Sequence, residues 1–436
     1  MNPPATGPRP PQHLVHREPV TRALEFVDEV VKAFPRRLAG SPSCRAAAAR
    51  IREEYATACD EGTVQTETFD FCPKAFIGYL PILAIVYVAA VVLMFLGQPL
   101  LAATGLAAAL TVFACQCLFY GTVFDFLFRA TTGMNVSGKV EPEGEVKQQI
   151  IVAGHHDAAP VFRYFARSPR WYPLIVAVGF GCFGIAFAGA VYMTVTASRP
   201  PWMCVALAVG TIGVFPIYRF FTGEVSPGAG DNLIATAIAG EITRRFSDRK
   251  KAGQGLKHTR VICLSADAEE CGLRGSRAYV GAHRHELLET KTYVVCMDTL
   301  YWPDQLHVIE RDMNGLMPLS ESMARELDEA ARDQGVRSHV ARMPFGAGAT
   351  DAASFGRARI EAASLIACEV SYDLPGNFVY HTLRDTIDAI DPRAIEQVHD
   401  VVVEFIRRKD ESASQAPARQ QEPRAKPEGS RTPRPG

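Results

Sequence analysis

Apolar and polar residues alternate along most of this chain with the spacings of helices and strands. Leu24, Val27, Val30, Val31 and Phe34 recur at helical spacing and predict a first helix. Similar helical patterns cover residues 43–59, 233–246, 316–333 and 392–408. Patterns typical of strands cover residues 63–71, 132–140, 149–153, 260–264, 293–297, 337–343 and 360–368. Because strands alternate with helices, we expect an α/β fold with a mostly parallel sheet and helices on both faces.

Two regions of the chain lack charged side chains over lengths that suit membrane spans. Residues 75–124 contain no charge, and neither do residues 171–198 or 200–218. A spanning helix needs roughly 20 apolar residues, so each region has room for two helices. The breaks fall at Gly97-Gln98-Pro99 and at Arg199-Pro200-Pro201. We therefore expect four transmembrane helices in two hairpins, residues 76–128 and 171–221, in preference to buried core helices.

The two hairpins divide one α/β domain into three parts, residues 20–75, 129–170 and 222–408. Residues 1–19 and 409–436 are rich in Pro and polar or charged residues and are expected to be disordered. Asp125 and Arg129 are spaced i,i+4 at the end of the first hairpin and are expected to form an interfacial ion pair.

Charge and cysteine content narrow the compartment and the partners. The net charge of −1 gives no reason to expect nucleic acid as a partner. The 11 cysteines show no disulfide spacing, and no cleavable signal peptide opens the chain, which favours a reducing compartment. The far-side hairpin turns carry only Arg199, so the positive-inside rule predicts a multi-pass protein with its soluble domain in the cytoplasm. The opposite side is flanked by Lys74, Arg129, Arg163, Arg167, Arg170 and Arg219.

A pair of adjacent carboxylates, Glu269 and Glu270, follows the predicted strand at residues 260–264. Open α/β sheets build their sites at the carboxyl ends of strands. Two interpretations of the pair compete. In the first, the two acids lie in the first turn of a helix, where the helix dipole favours negative charge. In the second, Glu270 is a metal ligand and Glu269 is a general base. The second interpretation requires partners elsewhere in the chain.

Four further segments supply such partners: His155 with Asp157, Asp231 with Asn232, Asp298, and His381. Most of them follow a predicted strand or open a helix, so they can gather at one edge of the sheet. Histidine and carboxylate ligands suit zinc. A bridging carboxylate with two further ligands per ion would hold two ions about 3.5–4 Å apart.

At these motifs the chain resembles the co-catalytic di-zinc exopeptidases, which include bacterial leucine aminopeptidases, glutamate carboxypeptidases and glutaminyl cyclases. The resemblance covers residues 20–72, 130–160 and 222–408, and the membrane hairpins are insertions. Its most specific motifs are Glu-Glu-x-Gly-Leu-x-Gly-Ser from Glu269, Tyr-His-Thr-x-x-Asp-Thr from Tyr380, Gly-Ala-x-Asp-Asn from Gly228, and His155-x-Asp157. Cys296 departs from the family pattern, in which Asn is usual, so the resemblance does not predict which residues line the pocket.

The resemblance implies two zinc ions and a role for each site residue. Asp231 would bridge the ions, Glu270 and His381 would complete one shell, and His155 and Asp298 the other. Glu269 would be the base that deprotonates a metal-bound water. The expected supporting residues are Asp157, which would orient His155, Asp385, an orienting group or cap, and Asp351, near the site. The resemblance also implies a cis peptide bond between Asp231 and Asn232.

The expected function is that of a membrane-anchored zinc metallopeptidase, most simply an aminopeptidase that hydrolyses peptide bonds with a metal-bound hydroxide. A glutaminyl cyclase or a carboxypeptidase on the same fold is an alternative, and so is a catalytically inactive receptor or scaffold. A transporter is disfavoured because the predicted spans carry almost no ionisable groups. Expected partners are peptide substrates and membrane lipid. The second hairpin is inserted between His155 and Asp231, so we expect the site close to the membrane surface, with residues 160–172 as its lip.

Overall fold

The computed structural model describes residues 17–415, so most of the two expected disordered ends lies outside the described residues. The strands of the described part are β1 Gln65–Phe71, β2 Thr131–Val140, β3 Gln148–His155, β4 Pro160–Phe162, β5 Phe221–Val225, β6 Thr259–Ala266, β7 Lys291–Leu300, β8 Leu306–Asp312, β9 Met317–Pro318, β10 Ser338–Arg342 and β11 Glu361–Ala367. The α-helices are α1 Glu18–Ala33, α2 Pro42–Ala58, α3 Leu80–Phe95, α4 Pro99–Phe113, α5 Arg163–Arg167, α6 Tyr172–Thr196, α7 Pro201–Tyr218, α8 Ile234–Lys251, α9 Arg274–Glu289, α10 Glu321–Asp333, α11 Ala352–Arg357 and α12 Pro392–Gln415.

The main sheet has the strand order β1-β2-β6-β3-β7-β11-β8-β10, with β9 paired to β8. Its centre, β6-β3-β7-β11, is parallel, as expected. The expectation of a mostly parallel sheet is wrong for the flanks, because β1-β2, β2-β6, β11-β8 and β8-β9 pair antiparallel. The sheet is therefore mixed. Helices α8 and α12 pack against its centre on one side, while α9 and α11 contact each other and pack on β7.

Short connections explain the antiparallel flank beyond β11. Only residues 301–305 separate β7 from β8, and a parallel crossover needs a dozen residues or more. The chain therefore reverses, and β8 runs opposite to β7 and to its partner β11. Sequence patterns did not predict β4, β5, β8 or β9.

The parallel centre of the sheet brings several carboxyl ends to one edge. His155, the last residue of β3, pairs in register with Ala266, the last residue of β6. Asp298 pairs with Ile366, close to the end of β11. This edge holds the motifs that carry chemistry.

Each apolar hairpin extends an antiparallel strand pair. The first leaves the domain after Phe71 and returns at Thr131, and these two residues are partners in the β1-β2 ladder. The second leaves after Phe162 and returns at Phe221, which are partners in the separate two-stranded β4-β5 sheet. The two ends of each insertion therefore lie at neighbouring strand ends, so the insertion does not interrupt the pairing of the strands.

The four apolar helices form one bundle in which α3 and α6 each pack against α4 and α7. In the described part of the chain, three helical segments are long and apolar enough to cross a membrane, namely Pro99–Leu118, Pro169–Thr196 and Pro201–Tyr218. The fourth, Leu80–Phe95, has 16 residues and is shorter than a typical span, so four full spans are not established. The bundle exposes many large apolar side chains, among them Ile82, Ile85, Val92, Leu101, Val178, Ile185, Val205 and Ile212.

Three local expectations differ from the structure. Helix α10 begins at Glu321, not at residue 316, because Met317 and Pro318 pair with β8. Helix α12 continues to Gln415, beyond the expected end at residue 408. Asp125 bonds to Arg274 and Gln116, whereas an ion pair with Arg129 was expected.

Candidate active site and metal centre

His155 and Asp157 lie where β3 ends at the centre of the sheet. Both side chains are buried, and Nδ1 of His155 lies 3.3 Å from Oδ1 of Asp157. Asp157 also accepts hydrogen bonds from the backbone N–H groups of Glu269 and Glu270, both at 3.1 Å. One carboxylate therefore fixes a histidine ring and the backbone of the next motif together.

The Glu269-Glu270 segment is a tight turn between β6 and α9. Ala268 enters it with a left-handed φ of +57°, a conformation that clusters at functional sites when glycine is absent. A side chain at Gly275 would collide with the carbonyl oxygen of Asp267, which explains the second glycine of the motif. The turn directs both carboxylates toward the sheet edge, because Oε2 of Glu269 lies 3.8 Å from Nε2 of His155.

Asp231 lies in an irregular segment that leads into α8. Oδ1 of Asp385 accepts a hydrogen bond from the N–H of Gly230 at 2.8 Å, and its Oδ2 accepts one from Asp231 at 3.3 Å. Asp385 thus holds the Asp231 backbone. A side chain at Gly230 would collide with the Tyr301 ring. The Asp231–Asn232 peptide bond is cis, as the resemblance implies.

Asp298 and His381 complete the cluster from the other side. Asp298 lies inside β7 and accepts a hydrogen bond from the Thr299 hydroxyl at 2.8 Å. His381 follows β11 in a loop and has a left-handed φ of +54°. Its Nε2 lies 3.2 Å from Oδ2 of Asp231 and 3.2 Å from Oε1 of Glu270.

Two donor groups in this cluster share Asp231, and a third joins His155 with Glu269 and Glu270. The first group contains His155, Asp231 and Asp298, and the second contains Asp231, Glu270 and His381. Within each group the donor atoms lie within 4.8 Å of one another. Asp231 reaches both groups because its Oδ1 lies 3.4 Å from His155 while its Oδ2 faces His381.

The donor atoms fit a metal centre. Nε2 of His155, Nε2 of His381, Oδ2 of Asp231 and Oε1 of Glu270 are buried and have no hydrogen-bond partner within residues 17–415. Buried polar atoms are normally hydrogen-bonded, so four that converge without partners need another explanation. Imidazole nitrogens and carboxylate oxygens in two groups of three suit zinc.

The electrostatics of the cluster point the same way. Burial raises the pKa of Glu269 well above its usual range, and Glu270, Asp298 and Asp351 add to the shift. Burial also raises the pKa of Asp298, to about 8, with a contribution from Asp231. For His381, burial lowers the pKa, but Glu270 and Asp231 outweigh it and raise the value to about 10. Crowded buried carboxylates favour a cation among them.

Asp351 stands beside the cluster and belongs to neither donor group. Burial raises its pKa to about 6, and Asp157 and Asp312 contribute. Its Oδ1 is buried without a hydrogen-bond partner. His156, next to His155, points elsewhere, because its Nδ1 lies 2.8 Å from the Ser265 hydroxyl and it groups with Cys44 and Asp267.

Sequence reasoning missed two residues that support the site. Arg37 is fully buried and donates hydrogen bonds to the backbone carbonyls of His156, Pro227 and Gly228. It ties the turn before α2 to the segment that leads to Asp231. The ring of Phe162 packs against the His381 ring at 4.3 Å. In the sequence, an arginine after Pro35-Arg36 only weakly indicates a buried structural role. Nothing in the sequence indicates the contact between Phe162 and His381.

Comparison with known proteins gives the class. Residues 209–406 match peptidase family M28, and no curated protein sequence matches the chain. A zinc aminopeptidase from Bacillus subtilis shares 14% identity at a TM-score of 0.54, over 89% of this chain and 95% of that one. A glutaminyl cyclase from Bacteroides thetaiotaomicron shares 13% identity at a TM-score of 0.52, over 89% and 97%. A leucine aminopeptidase precursor from the same organism shares 13% at 0.52, over 89% and 96%.

The family match, together with the fold shared with solved zinc exopeptidases, supports a zinc-dependent hydrolase. The resemblance to the co-catalytic zinc exopeptidases is confirmed, since residues 209–406 match the model of peptidase family M28 and the solved structures share the fold.

Proposed function

We propose that this chain is a membrane-anchored zinc aminopeptidase with two metal ions and Glu269 as general base. The observation that carries the proposal is the pair of donor groups that share Asp231. One ion would be held by His155, Asp231 and Asp298, and the other by Asp231, Glu270 and His381. The bound zinc ions would supply Lewis acidity, which polarises the scissile carbonyl and acidifies water.

Glu269 is the proton carrier in this proposal. It is buried, it adjoins the ligand Glu270, and its Oε2 lies 3.8 Å from His155. The carboxylate takes a proton from the attacking water and donates it to the leaving amine.

Asp351 supports an aminopeptidase as the particular activity. A substrate with a free N-terminus carries a cationic ammonium group, and its recognition needs an anion beside the reacting carbonyl. Asp351 offers a buried carboxylate oxygen without a hydrogen-bond partner, outside both donor groups. Its charge raises the pKa of Glu269, so it lies within electrostatic reach of the base. We assign it to the substrate ammonium.

The proposed anchor consists of four spans. Helix α3 has only 16 residues, about 24 Å of helix, but it packs between α4 and α7, which both belong to candidate spans. Its outward side chains Ile82, Ile85 and Val92 are apolar and exposed. A helix between two spans, with an apolar outer face, belongs in the same layer. The peptidase domain would then comprise residues 20–75, 129–170 and 222–408, all on one side.

The test joins metal analysis to a substrate panel. Purified protein should contain about two zinc ions per chain and should hydrolyse aminoacyl reporters. A peptide with N-terminal glutamine belongs in the panel, because the fold also matches glutaminyl cyclases. Cyclisation without hydrolysis would make the protein a cyclase. Zinc-loaded protein without either reaction would contradict the proposal.

A further inference from the structure

A chain of aromatic rings joins the candidate metal centre to the second apolar hairpin. The Phe162 ring lies 4.3 Å from His381, 4.7 Å from Phe220 and 6.4 Å from Tyr172. Phe165 stacks on Tyr172 at 3.8 Å. Tyr172 is the first residue of α6, and Phe220 follows the end of α7. We call Phe162, Phe165, Tyr172 and Phe220 the aromatic bridge.

The first hairpin contacts the other side of the same donor group. Arg274 follows Glu270 closely and donates hydrogen bonds to the Gly121 carbonyl at 2.9 Å and to Asp125 at 3.1 Å. Gln116, in the last turn of the Pro99–Leu118 segment, donates to Asp125 at 2.8 Å. The near ends of both hairpins therefore contact the segments that carry Glu270 and His381. The catalytic edge of the sheet faces the bundle.

With the apolar helices spanning a bilayer, the ring contacts put this edge near the outer boundary of the headgroup layer. A bilayer is about 40–45 Å thick and its hydrocarbon core about 30 Å, so each polar layer measures roughly 5–8 Å. The α6 helix is about 37 Å long, which puts Tyr172 at the boundary of the core. Two ring contacts, 6.4 Å and 4.3 Å, lead from Tyr172 to His381.

The lip of the site has the composition of a membrane interface. Arg167, Arg170 and Trp171 are exposed between the aromatic bridge and α6. Tryptophan is enriched at membrane–water interfaces, and basic residues are attracted to an anionic membrane surface. On the far side of the bundle, the turn between α6 and α7 carries Arg199, whose side chain lies close to Gly97.

We propose that the substrates are peptides anchored in the bilayer, by an acyl chain or an apolar segment, whose free N-termini lie at its surface. This inference rests on the proposed function, because it names the substrate class of the same site. A short spacer between anchor and scissile bond suffices, since the metal ligands lie only two ring contacts from the core boundary. An extended chain spans about 3.3–3.6 Å per residue, so the geometry predicts a threshold of roughly three to four residues.

The experiment is a spacer scan with zinc-loaded full-length protein in nanodiscs that contain phosphatidylglycerol. The substrates share one N-terminal reporter sequence, and they carry a palmitoyl anchor after spacers of two, four, eight and sixteen residues. The same peptide without an anchor reports the proposed function by itself. We expect kcat/KM to rise about tenfold between the two-residue and four-residue spacers and to change less than threefold beyond that.

Variants distinguish an effect of the lip from simple concentration of the anchored peptide at the membrane. Arg167→Glu with Arg170→Glu should lower kcat/KM for the four-residue spacer about fivefold more than kcat/KM for the unanchored peptide. The matched control is Arg199→Glu on the far side, which should change neither value.

Three outcomes would overturn the inference: cleavage that begins only beyond eight residues, equal use of anchored and unanchored peptides, or equal effects of lip and control variants. If no peptide is hydrolysed, the proposed function fails. Binding of the same fluorescent peptides to the zinc-loaded protein then tests the spacer threshold independently.

Discussion

At the scale of single residues, Asp157 connects two parts of the site. Its oxygens accept hydrogen bonds from the backbone of Glu269 and Glu270, and one lies 3.3 Å from the His155 ring. Asp157→Asn keeps the size of the side chain but removes the charge that orients the imidazole and an acceptor for the backbone. We expect zinc affinity to fall about 10–100-fold, measured by competition with a chelator. Asp70→Asn, at an exposed position of β1, is the control and should leave affinity unchanged.

Glu269→Gln tests the general base without a change of size. Amide nitrogen and oxygen cannot take a proton from water near neutral pH, so we expect kcat to fall about 10²–10⁴-fold. Zinc content should stay at the wild-type value, because the ligands in the proposed function are other residues. Glu289→Gln, on the exposed end of α9, is the matched control. Near-normal turnover of the Glu269 variant would assign the proton transfer to another residue.

Asp351→Asn tests the proposed contact with the substrate ammonium. Loss of one negative charge should raise KM for aminoacyl reporters about tenfold, since a charge-assisted hydrogen bond contributes roughly 1.5–3 kcal/mol. The KM for a reporter with an acetylated N-terminus should not rise in parallel. Equal changes for both reporters would indicate a structural role for Asp351. Asp373→Asn, at an exposed position, serves as the control.

Individual residues differ in how far the sequence predicts them. Six of the predicted site residues have side chains that suit metal binding or proton transfer, and the structure places all six in one cluster. They are His155, Asp231, Glu269, Glu270, Asp298 and His381. Arg37 acts on backbone carbonyls, which every residue type has, so its partners leave no pattern in the sequence.

At the scale of elements, the strongly periodic segments match the structure best. Strands β3, β6 and β7 are buried along almost their whole length and appear as apolar runs. Strand β8 contains His307, Glu310 and Arg311 among its apolar residues, so it lacks such a run. Long-range pairing decides its place beside β11, and local sequence does not encode that partner.

The contact between Asp125 and Arg274 connects the first hairpin to the catalytic segment. Arg274 is almost fully buried, and Asp125→Ala leaves its guanidinium with only the Gly121 carbonyl as acceptor. We expect a loss of stability of about 1–3 kcal/mol, seen as a lower unfolding midpoint in detergent. Asp28→Ala breaks an exposed pair with Lys32 and should cost less than about 1 kcal/mol. A midpoint for Asp125→Ala as high as that of the control would contradict a structural role for this contact.

At the scale of the whole molecule, the insertion points explain how one domain accommodates two hairpins. Both hairpins start and end at paired residues of antiparallel strands, Phe71 with Thr131 and Phe162 with Phe221. In the proposed four-span arrangement, the even number of spans in each insertion would return the chain to the side it left. The strands before and after each insertion can therefore pair as they would if a short loop joined them.

The side of the membrane on which we expect the domain is predicted from the distribution of basic residues. The ends of the hairpins that join the domain are flanked by several basic residues, whereas the far turns contain only Arg199. Basic flanks are retained in the cytoplasm, so we expect the catalytic domain there. The flanking residues are Lys74, Arg129, Arg163, Arg167, Arg170 and Arg219.

Protease treatment of sealed spheroplasts tests this topology. The catalytic domain should survive in intact spheroplasts and be degraded after permeabilisation, while an external marker protein is cleaved in both samples. Three lysines inserted beside Arg199, combined with neutral replacements of Arg163, Arg167 and Arg170, should expose part of the population, because orientation follows the difference in basic charge. Degradation of the wild-type domain in intact spheroplasts would place the site outside the cell, and the charge argument would then be wrong for this protein.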